Sequence, residues 1–195
     1  YRNLTGHTFC VNDIEFHPSE NVLISISNDK TVRIWDSNYN FLRFRSVTGY
    51  QVAAIEILPS GRFATCSFHA NITAGGIRTW DVMLTGYYLD LNLFGGVLCL
   101  KTLNNNRIAA GLNDSTIRII DTNTGENLRV LIGHNLPVRV LELMNNDFLI
   151  SGADDGKIII WNINSGQIIN EFNLSLSGIL SIHVLNSSCI LYFYL

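Results

Sequence analysis

The chain has 195 residues, of which 47% are hydrophobic and only 15% are charged, and its net charge is −3. This composition excludes an intrinsically disordered chain and is typical of a globular protein with a large core. The acidic balance and the lack of a Lys/Arg run argue against nucleic-acid binding. Arg43 and Arg45 come closest to a basic cluster, and an exposed outer strand explains them better.

The cysteines give no sign of a metal or cofactor site. They stand at positions 10, 66, 99 and 189, without CxxC spacing and without a histidine at the spacing of a metal ligand. Cys66 and Cys99 fall within apolar runs and are predicted to be small core residues. We therefore expect no cofactor and a reducing, intracellular location, either cytoplasmic or nuclear.

One sequence phrase returns about every forty residues. It reads SISNDKTVRIWD at residues 25–36, SGADDGKIIIWN at residues 151–162, and AGLNDSTIRIID at residues 110–121. A degenerate copy occupies residues 65–81. Such a recurrence predicts an array of similar structural units.

Each unit is predicted to contain four short strands. The first strands open at apolar residues spaced 41 to 45 positions apart, namely Val11, Val52, Val97, Val138 and Ile179. Two further strands, apolar on both faces, flank a tight turn, and a more variable strand follows. Four strands per unit, joined by turns, are typical of a propeller blade. The pattern predicts antiparallel sheets at about 8–44, 49–91, 94–131 and 135–172, with no helix longer than one turn.

The ends of these units carry a family resemblance. Gly6-His7 and Gly133-His134 precede first strands, and Trp35-Asp36 and Trp80-Asp81 close third strands. With these motifs the chain resembles the WD-repeat β-propeller family over nearly its whole length. The resemblance implies an all-β, partial ring of a seven- or eight-bladed propeller, with four complete four-stranded antiparallel blades and the start of a fifth. The expected boundaries are 1–4 for the end of a preceding blade, then 5–45, 46–92, 93–132 and 133–174 for blades 1 to 4, and 175–195 for the start of blade 5.

The resemblance also implies a hydrogen-bonded network in two of the blades, in which four polar side chains satisfy one another. Blade 2 keeps only Thr65 and Trp80 of this pattern, and blade 3 keeps only Asp114, so both are expected to rely on apolar packing. The expected members are His7, Ser25, Asp29 and Trp35 in blade 1, and His134, Ser151, Asp155 and Trp161 in blade 4.

A membrane helix is the alternative interpretation of residues 176–195. Six polar residues interrupt this stretch, and the alternation of ILSIHV continues the repeat, so the start of a blade is favoured. We therefore expect a fragment of a longer propeller that does not enter a membrane.

No catalytic residue is predicted, because the histidines and serines that match the family already have structural roles. His17 is expected to be an exposed loop residue, Gly95-Gly96 a turn, and Asp154 exposed. The turn at residues 68–76 is five residues longer than its counterparts. Long loops on a rigid scaffold often carry function, although neutral drift also produces them.

The expected function, by resemblance, is that of a non-catalytic interaction scaffold within a larger complex. In this family the loops before the first strands and the turns between the second and third strands emerge on one face. We expect a protein or peptide partner there, with candidate contacts from Phe9, Tyr50, Phe68, His69, Phe94 and Leu136. The alternatives are a regulatory or catalytic-accessory domain of an enzyme, or a structural spacer in a multidomain assembly.

Overall fold

The structure is a computed structural model that describes residues 3–47, 51–68, 75–93, 95–174, 177–186 and 189–194. The chain divides into two compact units, Tyr1–Gly96 and Val97–Leu195. Each unit contains two four-stranded sheets, and the second unit also contains a two-stranded hairpin. No helix occurs in the described residues. The predicted all-β class is confirmed.

In the first unit, all strands pair antiparallel with their sequence neighbours. The first sheet contains β1 (Val11–His17), β2 (Val22–Ser27), β3 (Thr31–Trp35) and β4 (Phe41–Ser46). The second sheet contains β5 (Gln51–Ile57), β6 (Phe63–Phe68), β7 (Gly75–Trp80) and β8 (Tyr87–Leu93).

The second unit repeats this order. Its sheets are β9 (Val97–Leu103), β10 (Arg107–Leu112), β11 (Ile117–Asp121) and β12 (Asn127–Leu131), then β13 (Val138–Leu143), β14 (Phe148–Ala153), β15 (Lys157–Asn162) and β16 (Ile168–Asn173). The hairpin joins β17 (Ile179–Asn186) to β18 (Cys189–Tyr194). Among the residues that the structure describes, no helix is long and apolar enough to cross a membrane. The helix alternative for residues 176–195 is wrong over Ile179–Asn186 and Cys189–Tyr194, which form the two strands of this hairpin.

An aspartate closes the turn between the second and third strands in three of the sheets. The carboxylates of Asp29, Asp114 and Asp155 each accept a hydrogen bond from the backbone N–H two residues later, at 2.9, 3.0 and 3.0 Å. In each turn, the residue between the aspartate and the donor N–H has a positive φ, which is 72° at Gly156. This local turn chemistry explains why the Asp persists in β10–β11, where the rest of the network is missing.

The cores lie between neighbouring sheets within each unit. In the first unit, the side chains of Ile24 and Ile34 pack with Phe63 and Trp80 of the next sheet. In the second unit, Gly152 on β14 packs closely against Ile179 on β17. A Cβ atom at position 152 would lie only 2.6 Å from Ile179 Cγ2. The middle strands are therefore buried on both faces, as predicted, whereas every residue of the outermost strand β16 is exposed.

Two predictions about single residues are wrong. His17 is 1% exposed, because its Nε2 lies 3.1 Å from the Gly61 carbonyl oxygen and so joins the first sheet to the second. Asp154 is partly buried, because the Arg139 guanidinium donates to both of its carboxylate oxygens at 2.6–2.9 Å. The His17 contact joins two repeats, and Arg139 lies in the same repeat as Asp154 but outside the recurring phrase, so the phrase itself predicts neither contact.

The proposed blade boundaries stay predictions. Asn3 and Leu4 lie in no strand, and residues 1 and 2 are outside the described residues. The strands of the four four-stranded sheets lie within residues 11–46, 51–93, 97–131 and 138–173, close to the bounds predicted from the sequence.

Candidate functional site

His7 lies at the centre of a polar cluster that joins the segment before β1 to the turn between β2 and β3. Its Nδ1 is 2.8 Å from Asp29 Oδ2, and its Nε2 is 2.8 Å from Ser25 Oγ. The Trp35 indole N–H donates to the same Ser25 oxygen at 2.9 Å. The side chains of His7 and Asp29 are only 7% and 4% exposed. Four polar groups that would each be costly to bury alone thus share their hydrogen bonds.

The same geometry recurs in the second unit. His134 Nε2 lies 2.7 Å from Ser151 Oγ, and Nδ1 lies 3.1 Å from both Asp155 carboxylate oxygens. The Trp161 indole donates to Ser151 at 2.8 Å. The structure therefore brings together all eight of the expected network residues, four in each unit.

The hydrogen atoms of each cluster can be placed in one consistent direction. The tryptophan N–H donates to the serine oxygen, the serine O–H donates to His Nε2, and the histidine Nδ1–H donates to the carboxylate. This direction requires a neutral imidazole with its proton on Nδ1. Each buried donor then has an acceptor.

The remaining sheets keep only parts of this arrangement. Trp80 donates to Thr65 Oγ1 at 2.9 Å, so the indole–hydroxyl pair survives without a histidine. Asp114 accepts hydrogen bonds from Thr116 and lies 3.5 Å from the Arg118 guanidinium. Ala110, which stands in the serine position of this pattern in sheet β9–β12, is fully buried in the apolar core.

Sequence reasoning missed the partners that the two aspartates find in the backbone. The backbone N–H of Thr8 donates to Asp29 at 3.1 Å, and that of Asn135 donates to Asp155 at 2.9 Å. Thr31 Oγ1 also donates to Asp29 at 2.6 Å. These backbone contacts could have been predicted from position in the sequence. The residue after each histidine must lie close to the aspartate that the histidine contacts.

The pKa values of the cluster follow from its burial and hydrogen bonds. Burial by itself raises the pKa of Asp29, but hydrogen bonds from Thr31, His7 and Thr8 together lower it to about 2. Burial lowers the pKa of His134, and this effect exceeds the opposing attraction of Asp155. The shift of Asp29 favours its ionised carboxylate, and the shift of His134 favours its neutral imidazole, as the hydrogen-bond direction requires of these two groups.

These shifts predict a loss of stability in acid. Because the pKa of His134 is lower in the folded chain than in the unfolded chain, the unfolded state binds a proton first as the pH falls below about 6.5. The contribution of Asp29 is full above its ordinary pKa of 3.8 and is lost as the pH falls from there toward 2. We expect the free energy of unfolding, measured with urea, to begin to fall between pH 7 and 5. In His134→Gln this fall should be smaller. An equal slope in parent and variant over that range would contradict the assignment.

The hydrogen-bonded Ser, His and Asp of each cluster resemble a catalytic triad, but their environment does not suit nucleophilic catalysis. Ser25 and Ser151 are 2% and 0% exposed, so no substrate carbonyl can reach their hydroxyl groups. Each hydroxyl group is also held on two sides, because its oxygen accepts a tryptophan N–H and lies within hydrogen-bond distance of a histidine Nε2. In the described part of the chain, no group of three or more His, Cys, Asp or Glu side chains could hold a metal ion. The hydrogen bonds of each cluster hold the segment before the first strand to the turn between the second and third strands.

Two of the six candidate partner residues are exposed beside these clusters. Phe9 is 70% exposed and Leu136 is 48% exposed. Phe68 ends β6 and is only partly exposed. Tyr50, His69 and Phe94 lie outside the described residues, as does most of the long turn at 68–76.

The backbone on both sides of Phe9 and of Leu136 is hydrogen-bonded to the adjacent turn. The Phe9 carbonyl oxygen accepts a hydrogen bond from the Ser27 hydroxyl at 3.2 Å, and the Cys10 carbonyl oxygen accepts one from the Asn28 N–H at 3.0 Å. Next to Leu136, the Pro137 carbonyl accepts the Asp154 N–H at 2.9 Å. In both units, the backbone beside an exposed apolar side chain is thus hydrogen-bonded to the adjacent turn.

Comparisons with known proteins agree with the repeat pattern. The family model "WD domain, G-beta repeat" matches residues 1–36 and 125–162. The chain is 28% identical over 178 residues to Nuclear distribution protein PAC1 of Arthroderma benhamiae, covering 83% of this chain and 37% of that protein. It is 27% identical to WD repeat-containing protein 82 of Drosophila melanogaster, covering 88% of this chain and 56% of that protein. The chain thus spans between about a third and somewhat over half of the length of these relatives.

A solved structure shows the same fold. The WD40 β-propeller domain of Doa1 superposes with a TM-score of 0.80 at 23% identity, covering 97% of this chain and 62% of that one. The predicted arrangement of four-stranded propeller blades is confirmed by this match. The two matched repeats, the relatives and the shared fold together support the resemblance of this chain to the WD-repeat β-propeller family.

Proposed function

We propose that the chain is part of a non-catalytic, intracellular scaffold that binds a protein or peptide partner through the loops before its first strands. The observation that carries this proposal is the pairing of a buried polar cluster with an exposed apolar residue in both units. Phe9 follows His7 by two positions, and Leu136 follows His134 by two positions. The resemblance to WD-repeat proteins, which commonly act as interaction scaffolds, supports the same conclusion.

The physical basis of the proposed site is preorganisation. An aromatic side chain on a flexible loop loses conformational entropy when it binds, whereas one on a fixed backbone loses less. The hydrogen bonds around Phe9 and Leu136 remove most of that loop freedom before a partner arrives. The polar cluster then contributes to binding indirectly, by holding the contact residues in position.

Site-specific crosslinking tests this proposal. A photoreactive phenylalanine analogue placed at position 9 or 136 of the intact protein is expected to crosslink a partner in cells. The control position is Asn123, which is exposed in the turn between β11 and β12. Crosslinks that form at position 123 but at neither loop position would contradict the proposed surface.

A further inference from the structure

A small pocket opens at the outer edge of the first unit, between its two sheets. Arg45, Ser46 and Val47, at the end of β4 and just after it, form one wall, and the other wall is Arg78, Trp80 and Tyr87. The cavity volume is about 110 Å³. Val47 and Trp80 are each 2% exposed, so the inner part of the pocket is apolar.

The pocket carries more positive than negative charge. Arg78 Nε donates to Asp90 at 2.9 Å, and these two side chains are 15% and 25% exposed. Arg45 Nη1 donates instead to the neutral Leu84 carbonyl at 3.0 Å, and no carboxylate within the described residues pairs with it. A guanidinium has five N–H donors, so Arg45 keeps donors for a ligand. Two guanidinium groups and one carboxylate leave one positive charge beside the pocket.

The size of the pocket restricts what can enter it. Small-molecule sites usually enclose about 300–1,000 Å³, whereas this cavity is about 110 Å³. It therefore suits one end group of a larger ligand. A carboxylate matches the planar fork of an arginine side chain, with which it forms two parallel hydrogen bonds.

The rim of the pocket indicates that the rest of the ligand is a polypeptide. Tyr87, which lines the pocket, is 52% exposed. Met83 is 60% exposed, and its Sδ accepts a hydrogen bond from Arg43 Nη1 at 2.7 Å. Protein interfaces are enriched in aromatic residues, methionine and arginine, and this rim contains all three.

We propose that this outer pocket is a second binding site, separate from the loop surface, which accepts an acidic side chain of an extended peptide segment in a protein partner. The carboxylate lies against Arg45 and Arg78, and the flanking apolar residues of the peptide lie on Met83 and Tyr87.

Fluorescence anisotropy with a labelled peptide tests the proposal on the intact chain. The probe is the peptide Ser-Gly-Leu-Glu-Phe-Gly-Ser, compared with the same peptide carrying Gln in place of Glu. We expect the Glu peptide to bind at least tenfold more tightly than the Gln peptide. We further expect Arg45→Gln to remove this preference, and Phe9→Ala to leave it unchanged.

The matched control is Arg43→Gln, two residues earlier on β4. Arg43 donates to Met83 Sδ, a proposed contact of the peptide, but does not line the pocket, so its removal should lower the affinity for both peptides and keep the preference for Glu over Gln. If Arg43→Gln and Arg45→Gln lose the preference for the Glu peptide equally, the preference comes from the general positive charge of this surface and the proposal is wrong. Equal affinity of the parent for the two peptides would also overturn it. If Arg45→Gln fails to fold, Arg45→Lys gives the same test, because it keeps the charge but lacks the fork. A phosphoserine peptide that binds tenfold more tightly than the Glu peptide would overturn the choice of a carboxylate.

Discussion

Replacing Trp161 with alanine is expected to lower the free energy of unfolding by about 4 kcal/mol. The indole is 1% exposed and packs in the main core of the second unit with Leu141 and Ile159. Its removal leaves a large cavity and also takes the N–H donor away from Ser151. Urea unfolding followed by circular dichroism measures the change.

Trp161→Phe separates the two contributions. Phenylalanine fills much of the cavity but supplies no donor to Ser151, so we expect a loss of about 2 kcal/mol, between those of the parent and the alanine variant. A loss below about 1 kcal/mol for Trp161→Ala would show that the indole is not part of a close-packed core. The assignment of β15 as a central blade strand would then be wrong.

Asp155→Ala is expected to cost about 3 kcal/mol of folding free energy. Its carboxylate, 6% exposed, accepts from the His134 ring and from the backbone N–H groups of Asn135 and Lys157. The substitution leaves these donors without their acceptor in a mostly buried site, at about 1–3 kcal/mol for each group that water cannot reach. The same urea titration measures it, and hydrogen exchange at the Asn135 amide should become faster.

Asp154→Ala is the matched control, one residue earlier. Its ion pair with Arg139 joins side chains that are 28% and 42% exposed, and such pairs are worth about 0.2–1 kcal/mol. We therefore expect Asp154→Ala to cost less than 1 kcal/mol. Equal unfolding midpoints for the two variants would contradict the network role of Asp155.

The repeat phrase allowed the strands to be predicted because it combines local signals that need no tertiary information. Alternating apolar residues indicate strands, and an Asp followed by a residue with positive φ, such as Gly156, indicates the tight turn between them. The histidine and tryptophan spacings then placed His134 and Trp161 on opposite sides of one serine. These contacts lie within a single repeat, so the sequence pattern is sufficient to predict them.

Contacts between repeats could not be predicted in this way. His17 is buried because Gly61, 44 residues away, accepts its hydrogen bond. The outer pocket likewise depends on Arg45 and Arg78 facing each other from two sheets, which no local periodicity encodes. Sequence reasoning placed Arg45 on an exposed outer strand, but it could not show that a second arginine lies beside the same cavity.

The candidate contact residues were chosen in part from their position relative to the histidines. Phe9 and Leu136 occupy the second place after the motif, and their exposure agrees with that prediction. Their proposed role as partner contacts depends on a partner surface, and the sequence of this chain carries no information about that surface.

The most direct test of the account is the affinity of the intact protein for its crosslinked partner, measured for Phe9→Ala, Leu136→Ala and Asn123→Ala. Truncating a contact residue that dominates an interface costs about 2 kcal/mol or more, which is roughly a thirtyfold loss of affinity. We predict such a loss for Phe9→Ala, a smaller loss for Leu136→Ala, and none for Asn123→Ala, with unchanged unfolding midpoints. Full affinity in both loop variants, with a loss only in Asn123→Ala, would contradict the proposed binding surface.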